Sequence, residues 1–109
     1  MDQQLLFSYG TLQDDKIQLV IFGRLLEGVD DYLYGFRLET ITFEDGLGQK
    51  NSYPIAIASS DPEQKISGKI YELIHEEITK ADSYEGSSYK RIKVKSGLGR
   101  PCWVYVKKD

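Results

Sequence analysis

Few side chains in this sequence could do chemistry, and Glu85 is the strongest candidate among them. It lies at the end of a predicted helix, directly before Gly86. The one histidine, His75, precedes two glutamates at the start of that helix, which disfavours it as the base for a serine or cysteine nucleophile. The one cysteine, Cys102, lies on an apolar strand and is interpreted as an inert core thiol. A single histidine and a single cysteine cannot form a Cys/His zinc cluster, so we expect no metal site.

A second candidate for chemistry is the segment Tyr9-Gly10-Thr11-Leu12, where a predicted strand gives way to a loop before a helix. Backbone N–H groups at such a junction have no partner within the helix and can bind an anion or stabilise an oxyanion. A lone carboxylate near them could serve as a proton shuttle. Spacing alone leaves the ordinary interpretations open, since most Gly-Thr turns are only turns and most glutamates are only solvated.

The paired glycines of the chain do not indicate a nucleotide site. Neither residues 46–48 nor residues 97–99 lie between a strand and a helix with the spacing of a dinucleotide or phosphate loop. We therefore expect no cofactor.

The first strand and helix must position the Tyr9 segment. Residues 5–9 are apolar and are predicted to form a strand that ends at Gly10. The following helix is predicted to be capped by Thr11 or by Asp14 and to stop at Gly23. The candidate loop therefore lies between two regular elements that can hold it in place.

The next part of the chain is harder to interpret. Residues 25–42 predict one long bent strand, or two strands joined near residues 29–31, with a bend at Gly35. The polar residues 44–52 include two glycines and are typical of a loop.

A second helix must position Glu85. Ile74, Ile78 and Ala81 follow helical spacing, Glu77 is expected on the outer face, and Gly86 ends the helix. Further strands are predicted at about residues 55–58, 66–73, 89–95 and 101–107.

These elements predict an α+β fold in one domain that covers residues 1–109. The expected architecture is a small mixed sheet of about six strands, strongly curved and barrel-like, with two flanking helices. Its eight tyrosines either pack with a solvated hydroxyl or line a pocket with hydrogen-bonding rings.

Charge and hydropathy bear on partners and location. No basic leader region precedes an apolar run, and no apolar run approaches the roughly 20 residues of a membrane helix, so we expect a cytoplasmic protein without membrane association. Residues 90–109 carry seven basic side chains and one acidic one. Arg91, Lys93 and Lys95 alternate with apolar residues, as on a strand with one solvated face, and no aromatic residue lies between them. We therefore predict no nucleic-acid partner.

Four short motifs in this order resemble the gamma-glutamylcyclotransferase-like family, in particular its gamma-glutamylamine cyclotransferase branch. They are LFSYGTL at residues 6–12, ISGKIYEL at 66–73, DSYEG at 82–86 and YKR at 89–91, and WVYV at 103–106 fits the closing strand of the family. The resemblance spans nearly the whole chain. It implies a small mixed barrel with flanking helices, which agrees with the elements predicted above.

The resemblance also implies an activity and a set of site residues. Glu85 would be the catalytic acid/base of a cyclotransferase that converts a γ-glutamyl amine or γ-glutamyl amino acid to 5-oxoproline and a free amine. The implied substrate-binding residues are Tyr9, Gly10, Thr11, Leu12 and Tyr89. Whether the backbone amides of residues 10–12 hold the α-carboxylate or the developing oxyanion stays open.

The resemblance leaves two rival functions. The same fold could be a non-catalytic module that binds a small molecule in this pocket, or a nucleic-acid-binding barrel that uses the basic final segment. The leaving amine is expected to be chosen by residues 44–53 and the long bent strand. Free γ-glutamyl amino acids, γ-glutamyl-lysine isopeptides and other γ-glutamyl amines stay open, as does the oligomeric state.

Overall fold

The computed structural model describes residues 3–44 and 46–108, and these form seven strands, two α-helices and one turn of 3₁₀ helix. The elements are β1 (Gln3–Ser8), the 3₁₀ turn (Thr11–Gln13), α1 (Asp15–Phe22), β2 (Gly28–Tyr34), β3 (Phe36–Glu44), β4 (Lys50–Ala58), β5 (Lys65–Ile74), α2 (His75–Glu85), β6 (Tyr89–Lys95) and β7 (Pro101–Lys107). The predicted α+β class is confirmed, with one strand more than expected.

The sheet is mixed, with the strand order β2-β5-β1-β7-β4-β3 and β6 paired to β7 off this path. It is open rather than closed into a barrel, because β2 and β3 at its two ends form no ladder with each other. The two strands follow one another through Gly35 alone, whose φ of 81° turns the chain. A one-residue link brings the ends of the sheet together but is too short for a hairpin.

The strand β7 carries neighbours on both edges, and one edge is divided. The strand β6 pairs along the whole of β7 and so occupies the first edge. On the other edge, β1 runs parallel to β7 at Trp103 and Val104, whereas β4 runs parallel to it at Val106. The strands β1 and β4 therefore separate at this point, and the gap between them is where the candidate site lies.

The sheet buries both of its faces. Along β1, Leu6 belongs to the core cluster that packs against the helices, and the next residue, Phe7, belongs to the cluster enclosed by the curved sheet. Tyr105 and Val104 of β7 divide between the clusters in the same way, as the alternation of a strand requires. Cys102 is fully buried in the enclosed cluster, and burial raises its pKa to about 11, so it is the inert thiol expected.

The helix α1 begins as the sequence predicts. The Asp14 side chain accepts hydrogen bonds from the backbone N–H groups of Lys16 and Ile17, so Asp14 rather than Thr11 is its N-cap. Gly23, with φ of 71°, ends the helix in the left-handed conformation.

The region 25–52 differs from the prediction in two places. Two strands meet at Gly35, where a bend was expected, rather than near residues 29–31. The strands β3 and β4 form a long hairpin, so that Glu44 and Lys50–Ser52 lie in strands instead of the predicted loop. Side chains are exposed on both faces near its tip, which removes the alternation that would have indicated strands. Asp45 lies outside the described residues.

The outer face of α2 also departs from expectation. Glu77 is buried, and its carboxylate accepts hydrogen bonds from the Arg24 guanidinium at 2.8 and 2.9 Å and from the Ile74 backbone N–H at 3.1 Å. This ion pair fastens the start of α2 to the segment that follows α1. No helix in the described part of the chain is long and apolar enough to cross a membrane.

Candidate functional site

A cavity of about 220 Å³ lies at the end of β1, where the sheet divides. Its volume is below the range of about 300–1,000 Å³ typical for drug-sized ligands, so it suits a small molecule. The lining residues come from β1 and the loop after it, the β3–β4 hairpin, the end of α2, β6 and β7. They are Phe7, Ser8, Tyr9, Gly10, Thr11, Phe43, Tyr53, Pro54, Tyr84, Glu85, Tyr89 and Tyr105.

Glu85 is the last residue of α2, and Gly86, with φ of 82°, ends the helix there. Within the described residues its carboxylate makes no hydrogen bond and no ion pair, and it lines the cavity. Burial raises the pKa of Glu85 to about 7. The negative end of the α2 dipole acts in the same direction. A carboxyl group in this state is about half ionised near neutral pH and can both take up and release a proton.

The loop after β1 reaches the same cavity through Gly10 and Thr11. Because the first residues of a helix lack intrahelical acceptors, the backbone N–H groups of Thr11 and Leu12 have no hydrogen-bond partner among the described residues. The Leu12 side chain is only 2% exposed and packs in the core beneath the helices, so it does not line the cavity. Its contribution to a site is limited to its backbone.

A direct contact joins this loop to the end of α2. The Thr11 hydroxyl and the Tyr84 hydroxyl are hydrogen-bonded at 2.7 Å, across 73 positions in sequence. Glu85 follows Tyr84, so the loop and the candidate acid/base meet at one site.

Tyr9 fills the gap between β1 and β4 with its side chain. Its hydroxyl donates to the backbone oxygen of Tyr105 on β7 at 2.5 Å and accepts from the backbone N–H of Ala56 on β4 at 3.1 Å. Burial raises its pKa well above the ordinary value, so the hydroxyl stays neutral. Tyr9 thus replaces backbone hydrogen bonds that neighbouring strands would have made there. Both hydrogen bonds of its hydroxyl are to the protein backbone.

Two further tyrosines are held in a similar way. The Tyr89 hydroxyl donates to the Pro54 backbone oxygen at 3.0 Å, and burial, with the nearby Glu85 charge, raises its pKa to about 12. The Tyr105 hydroxyl donates to Asp82 Oδ1 at 2.7 Å. The Asp82 carboxylate also accepts two hydrogen bonds from Arg91, at 2.8 and 3.1 Å. This network fastens the last turn of α2, and with it Glu85, to β6 and β7.

The β3–β4 hairpin supplies an aromatic pair that the sequence did not identify. The rings of Phe43 and Tyr53 lie 6.0 Å apart between centroids and are inclined at 54°. The Tyr53 hydroxyl has no hydrogen-bond partner among the described residues. Because the predicted loop, residues 44–52, lies between the two rings, no strand register could be predicted that places them on one face. The one available signal was the high tyrosine content, and five of the eight tyrosines line the cavity.

The charge of the cavity is simple. Among the lining residues that the structure describes, Glu85 is the one acidic side chain, and none is basic. No group of three or more His, Cys, Asp or Glu side chains that could hold a metal ion occurs within residues 3–44 and 46–108. His75 lies at the exposed start of α2, and Cys102 lies in the core, so neither lines this cavity.

A protein family matches almost the whole chain. The sequence model of the family described as "Gamma-glutamyl cyclotransferase, AIG2-like" matches residues 6–109. No curated protein sequence matches the chain at a significant level.

Solved structures with the same fold come from several organisms. A solution structure from Arabidopsis thaliana is 21% identical with a TM-score of 0.78, and the match covers 98% of this chain but 63% of that one. An uncharacterised human protein is 20% identical with a TM-score of 0.77, covering 100% and 69% of the two chains. A structure titled "Gamma-glutamyl cyclotransferase" is 15% identical with a TM-score of 0.74, covering 99% and 68%. At these identities the likeness establishes the fold, and this chain spans less than two thirds of the Arabidopsis protein.

Proposed function

The chain belongs to the gamma-glutamyl cyclotransferase, AIG2-like family, and from this premise we propose that it is a cyclotransferase. It would convert a γ-glutamyl amine or γ-glutamyl amino acid to 5-oxoproline and a free amine. The observation that carries the proposal is the Glu85 carboxyl, with its pKa of about 7, in one cavity with a loop whose Thr11 and Leu12 backbone N–H groups, like that carboxyl, have no partner among the described residues.

The reaction needs few catalytic groups because a γ-glutamyl group carries its own nucleophile. Its α-amine attacks its γ-carbonyl carbon, and a five-membered ring forms. A cavity that holds the substrate in the folded conformer supplies much of the rate enhancement through proximity, on the order of several kcal/mol. The small volume of the cavity, about 220 Å³, suits this role.

Glu85 would move the two protons that the reaction must transfer. In its ionised form it takes a proton from the substrate α-ammonium, which frees the lone pair for attack on the γ-carbonyl. In its protonated form it then donates to the leaving nitrogen as the bond from carbon to that nitrogen breaks. The regenerated carboxylate takes the second proton that the ring nitrogen must lose and passes it to the released amine, which departs as an ammonium ion. The carboxylate returns to its starting state, so one residue serves as base and then as acid. A pKa of about 7 suits both steps near neutral pH.

The free N–H groups of Thr11 and Leu12 would bind the negative charge of the substrate. They suit either the α-carboxylate or the oxyanion that develops on the γ-carbonyl oxygen. Since none of the described residues that line the cavity is basic, these backbone donors are the groups available to bind an anion there.

The tyrosines Tyr9 and Tyr89 would shape the pocket rather than react. Both hydroxyls donate to backbone oxygens, and both pKa values are raised by burial. A neutral, hydrogen-bonded ring keeps its position when the charge on Glu85 changes, which preserves the geometry that cyclisation needs.

The test is release of 5-oxoproline from a simple γ-glutamyl alkylamide, followed by mass spectrometry. We expect turnover by the wild type and a loss of roughly 10²- to 10⁴-fold in Glu85→Gln, which keeps the shape but cannot take up the proton. Glu76→Gln changes an exposed glutamate of the same helix and serves as the matched control. A wild type that binds 5-oxoproline but turns over no γ-glutamyl amide would instead support the non-catalytic binding module. Unchanged turnover in Glu85→Gln would remove Glu85 from the mechanism.

A further inference from the structure

We propose that the ring pair of Phe43 and Tyr53 binds the substituent of the leaving amine, and that the enzyme thereby selects γ-glutamyl amides of uncharged, apolar amines. This inference rests on the proposed function and adds to it the class of amine that is released. It is carried by the geometry of the β3–β4 hairpin and by the charge of the cavity.

The hairpin register places both rings on one face. Tyr53 on β4 is paired with Ile41 on β3, and Phe43 lies two residues beyond Ile41. Residues two apart on a strand share a face with each other and with the partner across the ladder. Phe43 and Tyr53 are therefore diagonal neighbours, and both line the cavity.

The protein leaves this apolar surface partly uncovered. Phe43 retains 41% of its exposure although it lines the cavity. An apolar group of a substrate that covered the ring would gain the free energy of removing both surfaces from water. An amine without such a group would leave the ring exposed.

Tyr53 differs from the other tyrosines of the cavity in its hydroxyl. The other four are hydrogen-bonded to protein groups: Tyr9, Tyr84, Tyr89 and Tyr105. The Tyr53 hydroxyl has no such partner among the described residues. The Tyr53 ring can therefore move to accommodate a substituent without breaking a hydrogen bond to the protein.

The charge of the cavity disfavours a second ionised group on the substrate. A leaving amino acid brings a carboxylate next to its nitrogen, and no basic side chain in the described part of the lining can pair with it. That carboxylate would also repel the ionised Glu85. A cationic substituent would have Glu85 as its one charged partner among the described lining residues, in competition with the α-ammonium that Glu85 must deprotonate.

Three synthetic substrates test the selectivity of the wild type by kcat/KM for 5-oxoproline release. They are γ-glutamyl-methylamine, γ-glutamyl-phenethylamine and γ-glutamyl-phenylalanine. We expect the phenethylamide to exceed the methylamide by about 10- to 100-fold, the range that added apolar contacts provide. Phenylalanine differs from phenethylamine by the carboxylate alone, and we expect its derivative to be at least about tenfold slower than the phenethylamide.

Variants of the hairpin then assign the selectivity to the rings. Phe43→Ala and Tyr53→Ala should each bring the ratio of phenethylamide to methylamide towards one. Phe43→Leu retains an apolar side chain and replaces Phe43→Ala if alanine destabilises the hairpin. We expect it to give an intermediate ratio. Leu38→Ala, at an apolar β3 residue of similar exposure that does not line the cavity, should leave the ratio unchanged.

The failure of this inference differs from the failure of the proposed function. Turnover of the methylamide with no preference for the phenethylamide, or a preference that persists in Phe43→Ala and Tyr53→Ala, would overturn the assignment of the rings and leave the cyclotransferase intact. Equal kcat/KM for the phenylalanine and phenethylamine derivatives would overturn the charge selectivity. A folded wild type that converts none of the three substrates would overturn both proposals together.

Discussion

Two carboxylates, Asp31 and Glu85, show how differently the molecule treats the same chemical group. The Asp31 side chain, on β2, is completely buried, yet it accepts four hydrogen bonds at 2.6 to 3.2 Å. Its donors are the Tyr32 and Leu98 backbone N–H groups, the Ser96 hydroxyl and the Arg100 guanidinium. Glu85 is half-buried and accepts none within the described residues.

The pKa values of the two groups move in opposite directions for this reason. Burial opposes ionisation of Asp31, but its four donors outweigh burial and hold the pKa below the usual value. Burial acts without such donors on Glu85 and raises its pKa to about 7. A chain that satisfies one carboxylate so fully leaves the other unpaired at a cavity, and such perturbed groups are characteristic of functional sites.

The surroundings of Asp31 are structural. Asp31 holds the turn between β6 and β7 against β2, and the Gly97 N–H of this turn donates to the Tyr32 backbone oxygen at 2.6 Å. A Cβ on Gly97 would lie 1.9 Å from the Tyr32 ring, so the two segments are in close contact there. The hydrogen-bond donors to Asp31 therefore hold these two segments together, whereas the Glu85 carboxylate in the cavity has no donor among the described residues and can accept from a ligand.

The largest effect on stability is expected from Asp31→Ala. The substitution leaves the Ser96 hydroxyl and the Leu98 N–H without their acceptor, and we expect a loss of about 3 kcal/mol in the free energy of unfolding. Urea denaturation at pH 7 measures it. Asp30→Ala is the matched control, because the neighbouring Asp30 side chain is 91% exposed and should contribute less than about 0.5 kcal/mol. Equal losses in the two variants would remove the distinction between Asp31 and a surface carboxylate.

Glu85→Gln is expected to stabilise the protein at high pH. Because the pKa of Glu85 rises from 4.5 unfolded to about 7 folded, its contribution to stability is full below pH 4.5 and is lost as the pH rises through 7. Glutamine removes that loss, so the variant should exceed the wild type by up to about 3 kcal/mol at pH 8 and match it near pH 4. For Asp31 the sign is reversed: its contribution is present above the unfolded pKa and is lost on acidification.

Thermal unfolding of the wild type and Glu85→Gln between pH 4 and pH 8 measures this difference. A variant less stable than the wild type at pH 8 would show that Glu85 has a stabilising partner in the folded state, and the contrast with Asp31 would fail.

The pH dependence of activity measures the pKa of Glu85 more directly, although the expected effect is smaller. If ionised Glu85 is the base, kcat/KM should decline about tenfold per pH unit below a pKa of about 7. Asp31, whose pKa is lowered, should contribute nothing in that range. An acidic limb near pH 4.5 would mean that the catalytic carboxyl is solvated, contrary to the burial of Glu85.

The fold was largely predictable from the sequence because its signals are local. Gly23 and Gly86 end the two helices as expected, and β6 and β7 have their predicted bounds. The outer end of the β3–β4 hairpin was wrongly predicted to be a loop, because its polar residues are exposed on both faces and show no alternation. Hydrophobic periodicity identifies only elements with a buried face.

The candidate site was predictable in part, through the family resemblance rather than spacing. The structure brings Tyr9, Gly10, Thr11, Glu85 and Tyr89 to one cavity, but leaves the Leu12 side chain outside it. The partners of Asp31 lie 65 to 69 positions away along the chain, apart from its own neighbour. No pattern in a single sequence connects groups at that separation. For the same reason, the ion pair with Arg24 was not predicted, and Glu77 was expected on the outer face of its helix.

The smallest effect on stability is expected from removal of the hydrogen bond between Thr11 and Tyr84. This bond joins the loop after β1 to the helix that carries Glu85. Thr11→Val and Tyr84→Phe should each cost about 1 kcal/mol in stability. Because both remove the same link between loop and helix, their effects on kcat/KM should be less than additive in the double variant.

A hydroxyl pair outside the cavity provides the control for that cycle. Thr42 and Ser52 are hydrogen-bonded at 3.1 Å on the exposed face of the β3–β4 hairpin, and neither lines the cavity. Thr42→Val and Ser52→Ala should therefore leave kcat/KM unchanged, singly and together, although their hydrogen bond resembles that of Thr11 and Tyr84. Additive effects on kcat/KM from Thr11→Val and Tyr84→Phe would mean that the loop and Glu85 act independently. The site would then depend on the cavity walls rather than on this link, because only a coupled pair transmits the position of one group to the other.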